Sequence, residues 1–217
     1  NRVGFSKSTL NVKKEIKPLL SCTWNQEMPF KLHTPKEKNV NMPTGCVATA
    51  VSQLMYHNKW PTKRPPEFVN QSGTNAQKSR VYLWNEIKDN SKQMGEAGKD
   101  AVGVLLSDVG KAVNMKYEAK GSTSNMQWAL DALRKNFDYS VKHINKEYMP
   151  QGMFYELVIN ELANGYPVLI GESSHSFLLD GIDKQGYVHV NWGWAGENDG
   201  WFDFNTLYTP LDDEVFG

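Results

Sequence analysis

Apolar residues recur at three- and four-residue spacing through the first two thirds of the chain, then give way to short continuous runs. Asn11 to Leu20 predicts a short helix with Val12, Ile16, Leu19 and Leu20 on one side. Val47, Val51, Leu54 and Met55 mark a second helix. Glu96 to Val113 sets Val102, Leu105, Leu106, Val109 and Val113 on one stripe, and Met126 to Leu133 repeats the pattern around Leu130. Phe154 to Leu162 predicts a further amphipathic helix, stopped by Asn164-Gly165. After Pro167 the pattern becomes strand-like: Val168-Leu169-Ile170, Ser176 to Asp180, Tyr187 to Trp192 and Trp201 to Phe204 are β-branched or aromatic runs. Gly181 to Gly186 and Asn198-Asp199-Gly200 part them. Helices first and antiparallel strands afterwards predict an α+β protein. Pro61 to Gly73 reads as loop, and there is no internal repeat or low-complexity tract.

Composition narrows the class. The 217 residues suit one large domain or two small lobes, and a chain of this size buries enough surface to fold without disulfides. No apolar run approaches the roughly 18 residues of a membrane span. With 24 basic and 24 acidic side chains, the chain lacks the basic footprint of a nucleic-acid binder. The balance is uneven, however. Six acidic and no basic residues follow Lys184, so the first 184 residues carry +6 and the last 33 carry −6. A solvated acidic surface is the reading favoured over a docking patch. The two cysteines, Cys22 and Cys46, form no framework and no metal-type CxxC spacing. The chain opens without the apolar segment of a signal peptide.

Chemistry enters at Pro43-Thr44-Gly45-Cys46, directly before the amphipathic VATAVSQLMYH. Thr44 is an N-cap type of residue and Gly45 permits a tight turn, which places Cys46 in a first helical turn. There the unsatisfied N–H groups and the helix dipole favour a thiolate, as a nucleophile requires. The competing reading is a buried structural thiol. A base must come from His33, His57, His143, His175 or His189. His57 lies about 16 Å along the same helix and cannot reach. His33, in a Pro/Lys-rich loop, and His143, beside a strand edge, read as solvated, so His175 and His189 remain. If Asp180 pairs with Gly186 across a five-residue loop, His175 and Asn191 become cross-strand neighbours; a two-residue loop pairs His175 with Trp194 instead. Cys46 precedes His175 by 129 residues and Asn191 by 145. These are close to the cysteine–histidine–asparagine intervals of papain-like enzymes.

Four blocks then carry a resemblance. They are Trp24-Asn25-Gln26 with Pro29-Phe30, PTGCVATAVSQLMYHNKWP from Pro43 to Pro61, His175-Ser176-Phe177 with Asp180-Gly181, and His189-Val190-Asn191-Trp192-Gly193-Trp194 with Asp199-Gly200-Trp201-Phe202. In this order they cover nearly the whole chain, which resembles the streptopain family of secreted bacterial cysteine peptidases, of papain-like fold. The resemblance implies Cys46 as nucleophile, His175 as general base, Asn191 and Trp192 as the pair that orients and shields the histidine, and Gln26 as an oxyanion-hole donor. Gly45, Ser173 and Ser174 are candidate substrate-binding positions. The family's glycine pair before the histidine is replaced here by Ser173-Ser174, and Cys22 has no part in the family's chemistry.

The implied protein is a single peptidase domain over 1–217, with a helical lobe over about 1–136 and a sheet-rich lobe over about 137–217. Its prosegment is absent, and the chain stops at Phe216-Gly217 where the family continues into a glycine-rich loop and a closing strand, so either this copy is trimmed or its sheet edge differs. Its substrates are proteins or peptides with a hydrophobic residue at P2. The resemblance also implies a propeptide inhibitor, secretion or a cell-surface or periplasmic location, and a monomer. Metal, organic cofactor, nucleic acid and membrane span are not implied. The same residues would serve an acyl transferase or amidase, or persist in a catalytically silent binding module. Trp192, Trp194 and Trp201 admit a carbohydrate-stacking reading, with packing at strand turns favoured and Trp192 as the functional exception.

Overall fold

Two local rules account for most of the backbone: a helical apolar stripe must be buried against another helix or a sheet, and a fully apolar strand must be covered on both faces. The computed structural model describes residues 2–3, 15–145, 148, 150–172, 174–204 and 207, and the side chains of all of these except Arg2, Val3 and Gln151. They form two compact units. One holds the described residues of Asn1–Ser21, His143–Trp192 and Gly196–Gly217; the other holds Cys22–Lys142 with Gly193–Ala195. The N-terminal segment, grouped with the helices in the sequence reading, thus clusters with the sheet.

The second unit is helical. It contains α1 (Cys46–Asn58), α2 (Asn75–Lys78), α3 (Glu96–Ala112) and α4 (Met126–Lys135), with a short hairpin of β2 (Lys36–Glu37) and β3 (Val40–Asn41). The stripe predicted on α3 is its core face: Val102, Leu105, Leu106 and Val109 are fully buried, and the helix packs on α1 and α4. Burial of each such side chain contributes about 1.5–3 kcal/mol. The 61–73 segment is irregular apart from one 3-10 turn at Pro66–Phe68.

The first unit is a five-stranded sheet in the order β1-β7-β6-β5-β4, backed by α5 (Gln151–Ala163). Its strands are β1 (Arg2–Val3), β4 (Val168–Gly171), β5 (Ser176–Ile182), β6 (Val188–Asn191) and β7 (Gly200–Phe202). All four predicted strands are present and antiparallel, and β1 adds a parallel edge beside β7 that the sequence did not announce. Every residue of β5 is buried. α5 ends where expected, with Gly165 at φ 84.

Two expectations fail here. Of the helix expected over Asn11 to Leu20, residues 11–14 lie outside the described residues, and 15–20 are extended rather than helical. Ile16 exchanges both backbone hydrogen bonds with Ile182 at 2.8 Å, and the Leu19 N–H donates to the Asp180 carbonyl at 2.8 Å. Pro18 also has no N–H for a helix interior. The β5–β6 register differs as well: Leu178, not His175, stands opposite Asn191. The loop is a three-residue turn, Lys184-Gln185-Gly186, closed by Asp183 N–H to the Tyr187 carbonyl at 2.9 Å, with Gly186 at φ 86. A bulge between Leu179 and Gly181 shifts the pairing once more.

Candidate active site

Cys46 is the first residue of α1 and is half-exposed, while Cys22 is buried; both are free thiols. The turn into the helix depends on Gly45, which caps α1 at φ 85 and ψ 144. A Cβ there would lie 2.6 Å from Met115 Sδ and 2.9 Å from the Ser122 carbonyl, so only glycine fits both the angle and the space. Thr44 is not the cap. Its hydroxyl bonds instead to Thr49 Oγ1 at 2.9 Å, and Thr49 reaches back to the Gly45 carbonyl. No side chain caps the helix start, so its first N–H groups lack intrahelical partners beside Cys46.

Gln26 belongs to the same unit and is half-buried; its carbonyl accepts from Thr44 N–H at 3.3 Å, two residues before the cysteine. The segment that carries it is anchored at Trp24, fully buried against Phe30 and Tyr56. Trp24 N–H donates to Gln53 Oε1, its indole N–H to the Lys88 carbonyl, and its carbonyl accepts from Ala195 N–H at 2.9 Å. Gln53 is a further positioning group that the sequence reading passed over. It lies two turns beyond Cys46 on α1 and also accepts from Cys22 Sγ at 3.6 Å.

His175, Asn191 and Trp192 occupy the sheet unit, all three buried. His175 precedes β5. Its Nε2 lies 2.8 Å from the Trp192 carbonyl, and its ring stacks against Phe177 and Trp192 at centroid distances of 6.2 and 6.1 Å. A carbonyl only accepts, so Nε2 carries a hydrogen in both the neutral and the charged ring. Nδ1 is therefore the nitrogen that takes up or gives a proton. Asn191 ends β6. Ser174 is exposed, and Ser173 lies outside the described residues. The Glu172 N–H donates to the His175 carbonyl at 2.9 Å.

Trp192 is pinned by the turn that follows it. Its peptide N–H donates to Asp199 Oδ1 at 2.9 Å and its indole N–H to the Asn198 carbonyl at 3.1 Å, with Phe202 edge-on at 5.4 Å. Trp192 is buried and edge-packed, and Trp201 turns its own edge contact to His189. His189 is committed elsewhere: its Nδ1 pairs with Asp180 Oδ1 at 2.6 Å, while Asp180 Oδ2 accepts from Leu20 N–H. An acidic residue in an otherwise apolar strand was the available signal for this pair. His33 is not a solvated loop residue, because it pairs with Asp100 at 2.7 Å and meets Gln77 through its other nitrogen. His143 is exposed, in irregular backbone rather than at a strand edge.

A model of the peptidase C10 family matches residues 24–202. The chain belongs to that family. This C10 chain is 31% identical over 225 residues to the thiol protease/hemagglutinin PrtT of Porphyromonas gingivalis, covering 93% of the chain and 26% of that protein. It is 30% identical over 213 residues to streptopain of Streptococcus pyogenes, covering 85% and 54%. It thus spans about a quarter and about half of these relatives. Among solved structures it is similar to active interpain A cysteine protease of Prevotella intermedia, with TM-score 0.76, 32% identity and coverage of 88% and 86%. A prointerpain A fragment gives TM-score 0.77 at 32% identity, covering 88% of the chain and 66% of the fragment. The α+β, papain-like fold and the streptopain resemblance are both borne out. No helix among the described residues is long and apolar enough to cross a membrane.

Proposed function

We propose that the C10 chain is the catalytic domain of a cysteine endopeptidase that cleaves protein substrates through a covalent acyl-enzyme. Cys46 attacks the scissile carbonyl as a thiolate, and its backbone N–H with the Gln26 amide receives the oxyanion. His175 Nδ1 takes up the thiol proton, delivers it to the leaving amine, and then activates the water that releases the acyl group. Asn191 and Trp192 hold the imidazole. Gly45, Ser173 and Ser174 border the bound peptide. The observation that carries this reading is the pair of local devices, each built within its own unit: an uncapped helix start at Cys46, and an imidazole whose tautomer is set by the Trp192 carbonyl.

Secretion, a propeptide inhibitor, a monomeric state and one peptidase domain spanning 1–217 belong to the same proposal. Support for the propeptide comes from the likeness to the prointerpain A fragment. Peptidyl epoxide or vinyl-sulfone labelling followed by mass spectrometry tests the reading. One adduct per chain, on Cys46, is expected together with cleavage of a peptide library. A folded chain that neither labels nor cleaves would return the silent binding module. Products transferred to added amines in place of hydrolysis would return the acyl transferase. Gln26→Ala is expected to lower kcat by about 10²–10³-fold with KM nearly unchanged, because one oxyanion donor is worth ~2.7–4 kcal/mol in the transition state alone. Steady-state kinetics on a fluorogenic peptide measures both terms.

A further inference from the structure

Trp192 meets His175 twice, through its carbonyl and through its ring, so a shift of Trp192 is passed to the imidazole. Two contacts from the following turn fix this residue, one on its peptide N–H and one on its indole N–H. The indole contact comes from a backbone carbonyl and is indifferent to side-chain identity. The peptide contact comes from the Asp199 side chain. We propose that Asp199 is a positioning residue for His175, acting through the Trp192 backbone. This rests on the reading of His175 as the general base.

A carboxylate suits the task better than a neutral acceptor. A hydrogen bond to an ionised acceptor is shorter and roughly twice as strong as a neutral one. Without it, rotation about the Trp192 backbone would carry the carbonyl away from His175 Nε2. A displacement of about 1 Å at a reacting group can cost on the order of a hundredfold in rate. The carboxylate is held there against its own preference. Burial pushes the Asp199 carboxyl from 3.8 up to about 6, with the bond from Trp192 N–H and the nearby His189 opposing the rise and Asp180 adding to it. Those two facing groups come from β6 and β5 and pair with each other at 2.6 Å.

The sign of the resulting linkage follows. The folded pKa lies above the ordinary value, so the folded chain holds this proton more tightly than the unfolded one. This group's contribution to stability therefore falls as pH rises from about 4 to about 6, and its full cost is carried above that window. A residue kept in the form that disfavours folding, at the support of a candidate base, has the character of a functional device rather than a packing one.

Asp199→Asn keeps the shape and an acceptor oxygen while removing the charge. The test is kcat and KM on a fluorogenic peptide between about pH 4.5 and 8.5, with thermal melts at neutral pH and His175→Ala as control. For Asp199→Asn, kcat falls about ten- to a hundredfold, KM stays within about twofold, and the melting temperature at neutral pH does not drop. The wild-type kcat/KM profile is expected to carry an ionisation near pH 6 that the variant lacks. Wild-type kcat with that ionisation intact would overturn the proposal, as would a loss of kcat matched by a loss of melting temperature. An active His175→Ala, or a wild-type chain that cleaves nothing, would remove the general-base reading and the proposal with it. A dead His175→Ala beside a wild-type-like Asp199→Asn would overturn the Asp199 role alone.

Discussion

Cys46→Ala abolishes cleavage of peptide and protein substrates, while Cys22→Ser keeps kcat/KM within about threefold of the wild type. The two thiols differ in every physical respect that nucleophilic chemistry requires. Cys46 is half-exposed at a helix start with no side-chain cap. Cys22 is 2% exposed and its Sγ donates to Gln53 Oε1. A serine hydroxyl can make the same bond at lower volume, so that substitution costs about 1 kcal/mol of stability. Loss of a covalent nucleophile removes on the order of 10⁶ in rate, and what an oxyanion hole retains lies below a routine assay. Progress curves with a fluorogenic peptide, read beside circular dichroism of both variants, check the pair. Equal losses in the two variants would sink the assignment of one nucleophile.

Local signals in the sequence were reliable wherever a structure is held by neighbours along the chain. The stripe from Val102 to Val109 forms α3, and the run Phe177-Leu178-Leu179 forms a strand buried on both faces. Cys46 at a helix start was legible because Gly45 and the VATAVSQLMYH pattern adjoin it. What failed depends on partners far away in sequence. The spacing of Ile16, Leu19 and Leu20 fits a helix, yet Ile182 and Asp180 supply that segment's hydrogen bonds. His33 looked solvated until Asp100, 67 positions on, met it. The His175–Asn191 pairing required a loop length that Gly186, at positive φ, shortens to three residues. The bulge at Gly181 lies where the chain near Ile16 and Pro18 passes so close that a Cβ would stand 3.0 Å from the Ile16 carbonyl. Nothing in β5 itself announces that crossing. The partner that the structure gives His175 Nε2 is the Trp192 carbonyl, a backbone group that carries no residue signature.

Arg64→Ala lowers stability by about 3–5 kcal/mol, which for a chain of this length is about 10 °C in melting temperature. Arg64 is 4% exposed and spends all of its side-chain donors. Nε and Nη2 grip the two oxygens of Asp108 at 2.7 and 3.1 Å. The other donors serve the carbonyls of Phe68, Ala76, Gln77 and Ser79 at 2.8–2.9 Å, so one guanidinium closes the whole loop region between α1 and α3. Truncation strands those carbonyls and leaves Asp108, 1% exposed, with Lys111 at 3.6 Å as its remaining cation. Arg64→Lys recovers little, because an ammonium lacks the planar fork that this geometry uses. Burial already pushes the Asp108 carboxyl up, and the Arg64 bonds and charge hold it down. In Arg64→Ala that restraint is gone, so the folded variant grips the Asp108 proton more tightly than the wild type does. Its deficit must therefore widen as pH rises through the range in which Asp108 ionises in the folded wild type but not in the folded variant. Urea melts in mildly acidic and in neutral buffer measure this, with the larger deficit expected at neutral pH. Arg64→Met with Asp108→Leu removes the charge penalty but not the stranded carbonyls, and so falls between Arg64→Ala and the wild type. An Arg64→Ala chain within about 1 kcal/mol of wild type at both pH values would show that water satisfies these groups and that the guanidinium is dispensable.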